Sequence, residues 1–457
     1  MKTKKIILSA IILLMVSLAS CKKDWLEANP DESVIVPKTL EDFQALLDNN
    51  YQIFNIVQAS GLVEIASGDF YILYTSWQSL FTTQEKSAYI WAPTTKFYNN
   101  ESSADWVNSY KRILNTNVIL NGIKKIKASP AKQNEWNNIA GSALFFRSFD
   151  FFNLAQEYCK GYEQNTAKSE LGLPLRLDYN VNIQLQRATL QQTYDQIIND
   201  LKSAAPLLGT TPLFKTRPSK QAAFALLART YLAMEDYRQA LLYADSALQI
   251  QSELMDYSTL NPDVSYPIQR FNPEVIFHNT FSFGIFNASR LIVEPALLDS
   301  YSEGDYRRKV FFKDNPNGRT TYKGSYANDK NLFGGLATDE LYLIRAECNA
   351  RIGNIATALA DLNHLLKTRW DLSYKEFSAD NAEQVLTFIL KERRKELVFR
   401  GLRWQDLRRL NKDSRFATTL TRTLNDQTYT LPPNDKKYVF PIDEMELKLS
   451  GIQQNDR

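Results

Sequence analysis

One cysteine near the N-terminus stands in a context that favours covalent lipidation. Cys21 follows Leu-Ala-Ser at residues 18–20, and three lysines precede an apolar run of 11 residues over positions 6–16. Such a run suits the core of a signal peptide and is too short to span a bilayer. Signal peptidase II cuts before a cysteine of this kind, and three acyl chains on one residue make a stable anchor. We predict a lipoprotein signal peptide over residues 1–20 and a lipid anchor on Cys21.

The other two cysteines have a less reactive setting. Cys159 and Cys348 fall in helix-patterned stretches, where a buried free thiol is commoner than a disulfide. Pairing remains the alternative, and we favour free thiols. The sequence has no Cys-x-x-Cys and only His278 and His364 as histidines, so it lacks the ligand spacing of a zinc site. We expect neither a metal nor another cofactor.

Aromatic side chains offer a second kind of chemistry, which is stacking on a ligand. The chain has 23 Tyr, 25 Phe and 7 Trp, and such rings stack well on flat apolar surfaces. Many of them lie in two irregular stretches, residues 70–98 and 250–336. The candidate ligand-binding residues are Tyr74, Trp77, Trp91, Tyr322 and Tyr326. The alternative is that these rings pack their loops onto the rest of the protein.

Motifs of the common catalytic families are missing from the sequence. It contains no Gly-x-Ser-x-Gly, no His-Glu-x-x-His, no phosphate loop and no dinucleotide fingerprint. Nothing singles out a catalytic pair among the 51 acidic residues. The net charge of +3 becomes zero once the three lysines of residues 1–20 are removed, so the mature chain lacks the basic field typical of nucleic-acid binders. We expect a protein that is not an enzyme and binds no nucleic acid.

The elements that must position these residues are helices with a repeat of the tetratricopeptide type. Helix-contact positions recur at +3, +9, +12, +16 and +19 from Ala228, and the same intervals recur from Ala346. In the 34-residue repeat, small residues at such positions let two antiparallel helices approach closely. Gly353 occupies the place that Glu235 has in the first copy, which predicts a turn at both. A weaker third copy begins at Ala143.

Other helices are predicted from local signals. Thr189 and Gln192 have the spacing of a capping box. Residues 382–410 mix acids and bases, which favours a salt-bridged helix that includes a Glu396–Arg400 pair. The predicted fold is mostly α: an α/α superhelical scaffold of scattered tetratricopeptide-like helix pairs with long irregular ligand-facing loops. We expect an N-terminal region over 21–215 and a C-terminal region over 216–457 that form one compact unit.

Several motifs carry a family resemblance. The most specific are ELYLIRAE at residues 340–347, ERRKEL at 392–397 and GLRWQDLRR at 401–409. Together with the Cys21 leader and GLPL at 172–175, they resemble the SusD/RagB family of outer-membrane nutrient-uptake lipoproteins of Bacteroidetes along nearly the whole mature chain. The chain departs from the family at Arg400, where an acid is commoner. It also has no Trp over 250–336, which argues against the stacked-tryptophan starch site of the founding member.

The resemblance implies a non-catalytic protein that is lipid-anchored in the outer membrane and faces the cell exterior. Such a protein would form a lid on a TonB-dependent transporter, a SusC-like barrel, and would capture oligosaccharide or, in some members, peptide. Two other functions stay open. One is a tetratricopeptide-type lipoprotein scaffold for envelope protein assembly, because such repeats commonly bind proteins. The other is a glycan hydrolase on a helical scaffold.

Overall fold

The computed structural model describes residues 37–55, 61–92, 97–324 and 326–457. Cys21 and the predicted signal peptide lie outside the described residues. Helices dominate the described ranges. They are α1 (Leu40–Leu47), α2 (Leu62–Ala66), α3 (Tyr74–Gln78), α4 (Thr83–Tyr89), α5 (Ala104–Ile123), α6 (Gln133–Tyr158), α7 (Leu190–Ala204), α8 (Lys220–Ala233), α9 (Tyr237–Leu248), α10 (Pro295–Leu298), α11 (Tyr306–Phe311), α12 (Thr338–Arg351), α13 (Ile355–Lys367), α14 (Ala382–Glu396), α15 (Arg403–Leu410) and α16 (Glu444–Ser450).

The two strong repeat copies form the predicted helix pairs. Helices α8 and α9 pack together, α12 packs on α13, and α9 packs on α12, so pairs far apart in sequence are neighbours in space. Ala228 and Ala346 are fully buried where the paired helices meet. Both turns contain a left-handed residue, Glu235 at φ 61° and Gly353 at φ 88°. The mostly helical fold class is therefore confirmed.

Local helix signals were also informative. The capping box of α7 is present: the Gln192 backbone N–H donates to Thr189 Oγ1 at 3.1 Å, and the Thr189 N–H donates to Gln192 Oε1 at 2.9 Å. These bonds satisfy backbone N–H groups that have no partner within the helix. They determine where α7 begins.

Two expectations from the sequence were wrong. The third repeat copy is not a helix pair, because α6 continues without a turn from Gln133 to Tyr158, and its aromatic residues Phe146 and Phe152 are both in the core. No Gly or Pro stands between these two rings to end the helix. The Glu396–Arg400 pair does not form either. Helix α14 ends at Glu396, which binds Arg307 and Arg369.

The described strands are short and occur in antiparallel pairs. They are β1 (Phe70–Tyr71) with β4 (Ile292–Val293), β2 (Val275–Phe277) with β8 (Leu336–Ala337), β3 (Thr280–Phe281) with β7 (Leu332–Phe333), β5 (Phe312–Asp314) with β6 (Thr320–Tyr322), and β9 (Leu420–Leu424) with β10 (Gln427–Leu431). Phe70 pairs with Val293 and Tyr71 with Ile292. This pairing joins the first aromatic stretch of the sequence to the second.

A continuous apolar core extends from Leu40 to Ile452 and includes residues on both sides of the predicted boundary at 215/216. The division into two regions stays a prediction. Cys159 and Cys348 are buried free thiols, as expected. Among the described helices, none combines the length and the apolar character that crossing a membrane requires.

Candidate ligand-binding site

A β-hairpin in the second aromatic stretch forms one wall of the candidate site. Strands β5 and β6 are joined by the turn Asn315-Pro316-Asn317-Gly318, in which Gly318 has φ 75°. The Asn315 side-chain amide donates to the Arg319 carbonyl at 3.0 Å and to Thr321 Oγ1 at 3.1 Å. The left-handed glycine and the asparagine bonds are typical of a tight turn. They hold the hairpin tip in one conformation.

Helix α11 and the loop at 262–266 complete this wall. Arg308 donates to both carboxylate oxygens of Asp314, at 2.8 and 3.0 Å, and Thr320 Oγ1 donates to the same group at 2.6 Å. These bonds lower the pKa of Asp314, which keeps it ionised as a counterion. Lys323 Nζ donates to the carbonyls of Pro262 and Lys309, each at 2.5 Å. Lys323 therefore connects β6 to both neighbouring segments.

Three adjoining clefts open around these elements, and we call them the loop clefts. The first has a volume of about 530 Å³, the second about 510 Å³ and the third about 420 Å³. Tyr266, Ala288, Tyr322 and Lys323 line both the first and the second cleft. Ala288 also lines the third cleft, together with Leu73 from the first aromatic stretch. The loop clefts thus form a concave surface with room for several sugar-sized groups.

Of the predicted aromatic residues, one lines the loop clefts and the others do not. Tyr322 lines the first two clefts, although only 8% of the residue is exposed, and its ring packs 4.7 Å from the Phe399 ring. Tyr74 and Trp77 lie half-buried on α3, with their rings stacked 6.0 Å apart. The Trp77 indole N–H donates to the Lys86 carbonyl at 3.2 Å. These two rings lie on the helix that follows Leu73 and do not line the loop clefts.

Trp91 and Tyr326 are core residues, because each is only 1% exposed. The Trp91 indole N–H donates to the Ala66 carbonyl at 3.0 Å, and the Arg422 guanidinium lies 4.8 Å from its ring. The Tyr326 hydroxyl donates to Glu274 at 2.5 Å. Neither ring offers a free face to a ligand in this structure. Both satisfy their polar atoms internally, which stabilises the loops that carry them.

Sequence reasoning missed Tyr266, the most exposed ring of the loop clefts. Tyr266 is 37% exposed and lines the first two clefts, with Phe283 beside it in the second. Its only local signal was its position before Pro267 in a stretch rich in turns. That signal places a residue on a loop, but it does not tell which neighbouring loops will pack beside it.

A buried group of carboxylates was a second candidate for chemistry. One oxygen from each of Glu274, Asp339 and Glu396 lies within 4.8 Å of the others. Arg369 donates to both Glu274 and Glu396, and Arg400 donates to Asp339. These guanidinium groups already supply the positive charge that a cation would bring, so the arrangement suits a structural ion network. Several residues of the 340–347 and 392–397 motifs belong to it or to neighbouring pairs.

Comparison with known proteins gives a consistent result. Residues 24–232 match a family model described as starch-binding and associating with the outer membrane, and residues 337–456 match one described as the SusD family. Among curated proteins, none matches at a significant level.

Solved structures share the fold. A SusD superfamily protein from Bacteroides thetaiotaomicron aligns with TM-score 0.70 and 22% identity over 92% of this chain and 100% of its own. One from Bacteroides fragilis has TM-score 0.73 and 19% identity, over 91% and 99% of the two chains. A SusD-like carbohydrate binding protein from Bacteroides vulgatus has TM-score 0.68 and 20% identity, over 91% and 97%.

Proposed function

The chain belongs to the SusD family, and we propose that it is a non-catalytic, lipid-anchored outer-membrane protein that captures oligosaccharide and delivers it to a TonB-dependent transporter. The loop clefts are the observation that carries this proposal. They combine the exposed ring of Tyr266 with hydrogen-bonding groups from Asn317, Thr321 and Arg319. Aromatic faces with a few well-placed polar groups are what a sugar ring requires.

The alternative of a repeat scaffold is less well supported. Tetratricopeptide arrays bind their partners on an exposed concave surface. Here the first helix of each pair is buried by the rest of the chain: in α8 all residues except Lys220 and Phe224 are buried, and in α12 all except Arg345 and Arg351. The first helices of the pairs therefore leave little concave surface for a partner.

Binding is tested with purified residues 22–457 on an array of glycans and peptides, followed by titration calorimetry on the ligands that bind. The Tyr266→Ala variant should lose affinity by about tenfold or more, since an exposed ring that stacks on a ligand contributes roughly 1–3 kcal/mol. Tyr51→Ala is the matched control, because Tyr51 is 84% exposed and does not line the loop clefts. Binding of peptides alone, or of no ligand at all, would contradict capture of oligosaccharide.

Delivery is tested by co-purification after mild detergent extraction at native expression. A TonB-dependent transporter should be recovered with the protein, through an interface of at least about 1,000 Å². Recovery of the free protein only, under conditions that preserve other outer-membrane complexes, would remove the transporter from the proposal and leave glycan binding in place.

A further inference from the structure

The loop clefts carry an excess of positive charge that the chain as a whole does not have. Beyond residue 20 the sequence has equal numbers of basic and acidic residues, 51 of each. The linings of the three clefts contain seven basic side chains and three acidic ones. A cleft lined by one sign of charge concentrates counterions of the other sign. The charge of the site therefore differs from what the overall composition suggests.

Most of the basic side chains that line the loop clefts have no polar partner among the described residues and can interact with a ligand. Arg308 is paired with Asp314, and Lys323 is bonded to backbone carbonyls. In the described part of the chain, Lys309, Lys313 and Lys330 are exposed and their ammonium groups have no hydrogen-bond or ion-pair partner. The half-exposed Arg319 guanidinium likewise has no such partner among the described residues. Each cleft has at least one of these unpaired cations in its lining.

We propose that the loop clefts bind an acidic oligosaccharide, one that carries carboxylate or sulfate groups. This inference rests on the proposed function and specifies its ligand. Arginine and lysine are the side chains that recognise carboxylate and sulfate oxygens, and Arg319 can bind two of them at once through its planar guanidinium. Tyr266 supplies an exposed aromatic ring in the same concave surface. A sugar ring with an anionic substituent matches both features, whereas a neutral glycan would leave the cations unused.

The test uses two matched pairs of probes in titration calorimetry with residues 22–457. One pair is an oligogalacturonide and its methyl ester; the other is a sulfated galactan oligosaccharide and its desulfated form. In at least one pair the acidic member should bind about tenfold tighter or more, and its Kd should rise as NaCl increases. The pair that responds distinguishes carboxylate from sulfate recognition. Polyglutamate is the charge control, and equal binding of polyglutamate would overturn the inference in favour of a nonspecific basic surface.

Charge-removing variants assign the effect to the clefts. Lys313→Gln/Arg319→Gln should weaken binding of the acidic probe about tenfold or more, with the melting temperature unchanged, because neither side chain has a polar partner among the described residues. Lys125→Gln/Lys127→Gln removes the same charge from two exposed positions just beyond α5 and should leave the Kd unchanged. Equal loss in the two double variants would overturn the assignment to the clefts.

Different results would overturn the proposed capture of oligosaccharide and the inferred preference for an acidic one. If neither acidic probe binds tighter than its neutral partner, while a neutral glycan binds and Tyr266→Ala weakens it, the charge inference is overturned and oligosaccharide capture stands. If no glycan of either kind binds, both are overturned together.

Discussion

Glu64 is fully buried on α2. Burying a carboxyl group is costly unless the group is protonated or paired with a cation. Its Oε2 accepts the Gly401 backbone N–H at 2.8 Å, and its Oε1 accepts the Ser67 hydroxyl at 3.1 Å. Burial, with the nearby charge of Asp69, raises the pKa of Glu64 to about 8. The folded protein therefore holds this proton at neutral pH, whereas the unfolded chain releases it near its ordinary pKa of about 4.3.

This difference predicts a pH dependence with a definite sign. The contribution of Glu64 to stability should be complete below about pH 4.3 and should decline as pH rises to about 8, by an amount on the order of a few kcal/mol. Glu64→Gln cannot titrate, so the free energy of unfolding measured by urea should fall less steeply over this range than in the wild type. Parallel curves for the two proteins would contradict the buried proton.

Trp77 is better placed as a loop anchor than as the main ligand contact. Its indole N–H is bonded to the Lys86 carbonyl, and its ring packs on Tyr74. We predict that Trp77→Ala lowers the melting temperature by a few degrees, while its effect on glycan affinity is smaller than that of Tyr266→Ala. Thermal unfolding and titration of both variants check this. A large loss of affinity for Trp77→Ala at unchanged melting temperature would restore it as a ligand-facing residue.

The turns of the two helix pairs give a test at the level of elements. Gly353 has φ 88°, and a Cβ built on it meets no atom within 4 Å, so only the backbone opposes a side chain there. Gly353→Ala should lower the free energy of unfolding by about 1 kcal/mol. Gly209→Ala is the control. Its φ lies outside the left-handed region, its Cβ would meet only Asn138 Oδ1 at 3.8 Å, and its effect should be close to zero. Equal losses would show that φ is not the cause.

Helices and their pairing could be predicted from the sequence because their signals are local or strictly spaced. The Thr189 capping box marks the start of one helix. The intervals from Ala228 and Ala346 mark the contacts between two helices that are consecutive in the sequence. The continuous course of α6 was missed because most of its residues are buried. A helix that is buried on all sides shows no clear alternation of polar and apolar faces, so its pattern could not be told from that of a helix pair. The pairing of Glu396 was missed because its partners Arg307 and Arg369 are distant in sequence, and only the tertiary fold brings them together.

The loop clefts adjoin the two aromatic stretches in which the sequence predicts a ligand site, and the site itself stays a prediction. Composition and turn signals placed aromatic loops over 70–98 and 250–336, and the β1–β4 pairing brings these stretches together. Whether one ring faces a cleft or the core depends on partners elsewhere. Arg422 covers Trp91, and Glu274 accepts the Tyr326 hydroxyl. Neither partner is near in sequence, so the aromatic pattern alone could not separate these rings from Tyr266.

At the scale of the whole molecule, paired charges lie in the interior and unpaired basic groups line the loop clefts. Several arginines of the C-terminal motifs form buried ion pairs, such as Arg409 with Glu347 and Arg393 with Asp406. The basic groups of the loop clefts include several without partners in the described structure, such as Lys313 and Arg319. The rigid ionic interior therefore holds the loops in place, and the free charge lies where a ligand can approach. The loss of hydration offsets much of the attraction between such buried charges, so their net contribution to stability is small.

The proposed lipid anchor, Cys21, lies outside the described residues. Among the described helices, none has the length and apolar character needed to cross a bilayer. We predict that Cys21→Ser moves the protein from the membrane fraction to the soluble fraction in a strain that lacks the partner transporter. The wild-type N-terminal peptide should carry three acyl chains by mass spectrometry. Ser20→Ala keeps a small residue before the cysteine and should stay anchored. If Cys21→Ser is cleaved after residue 20 and still sediments with membranes, the lipid is not the anchor.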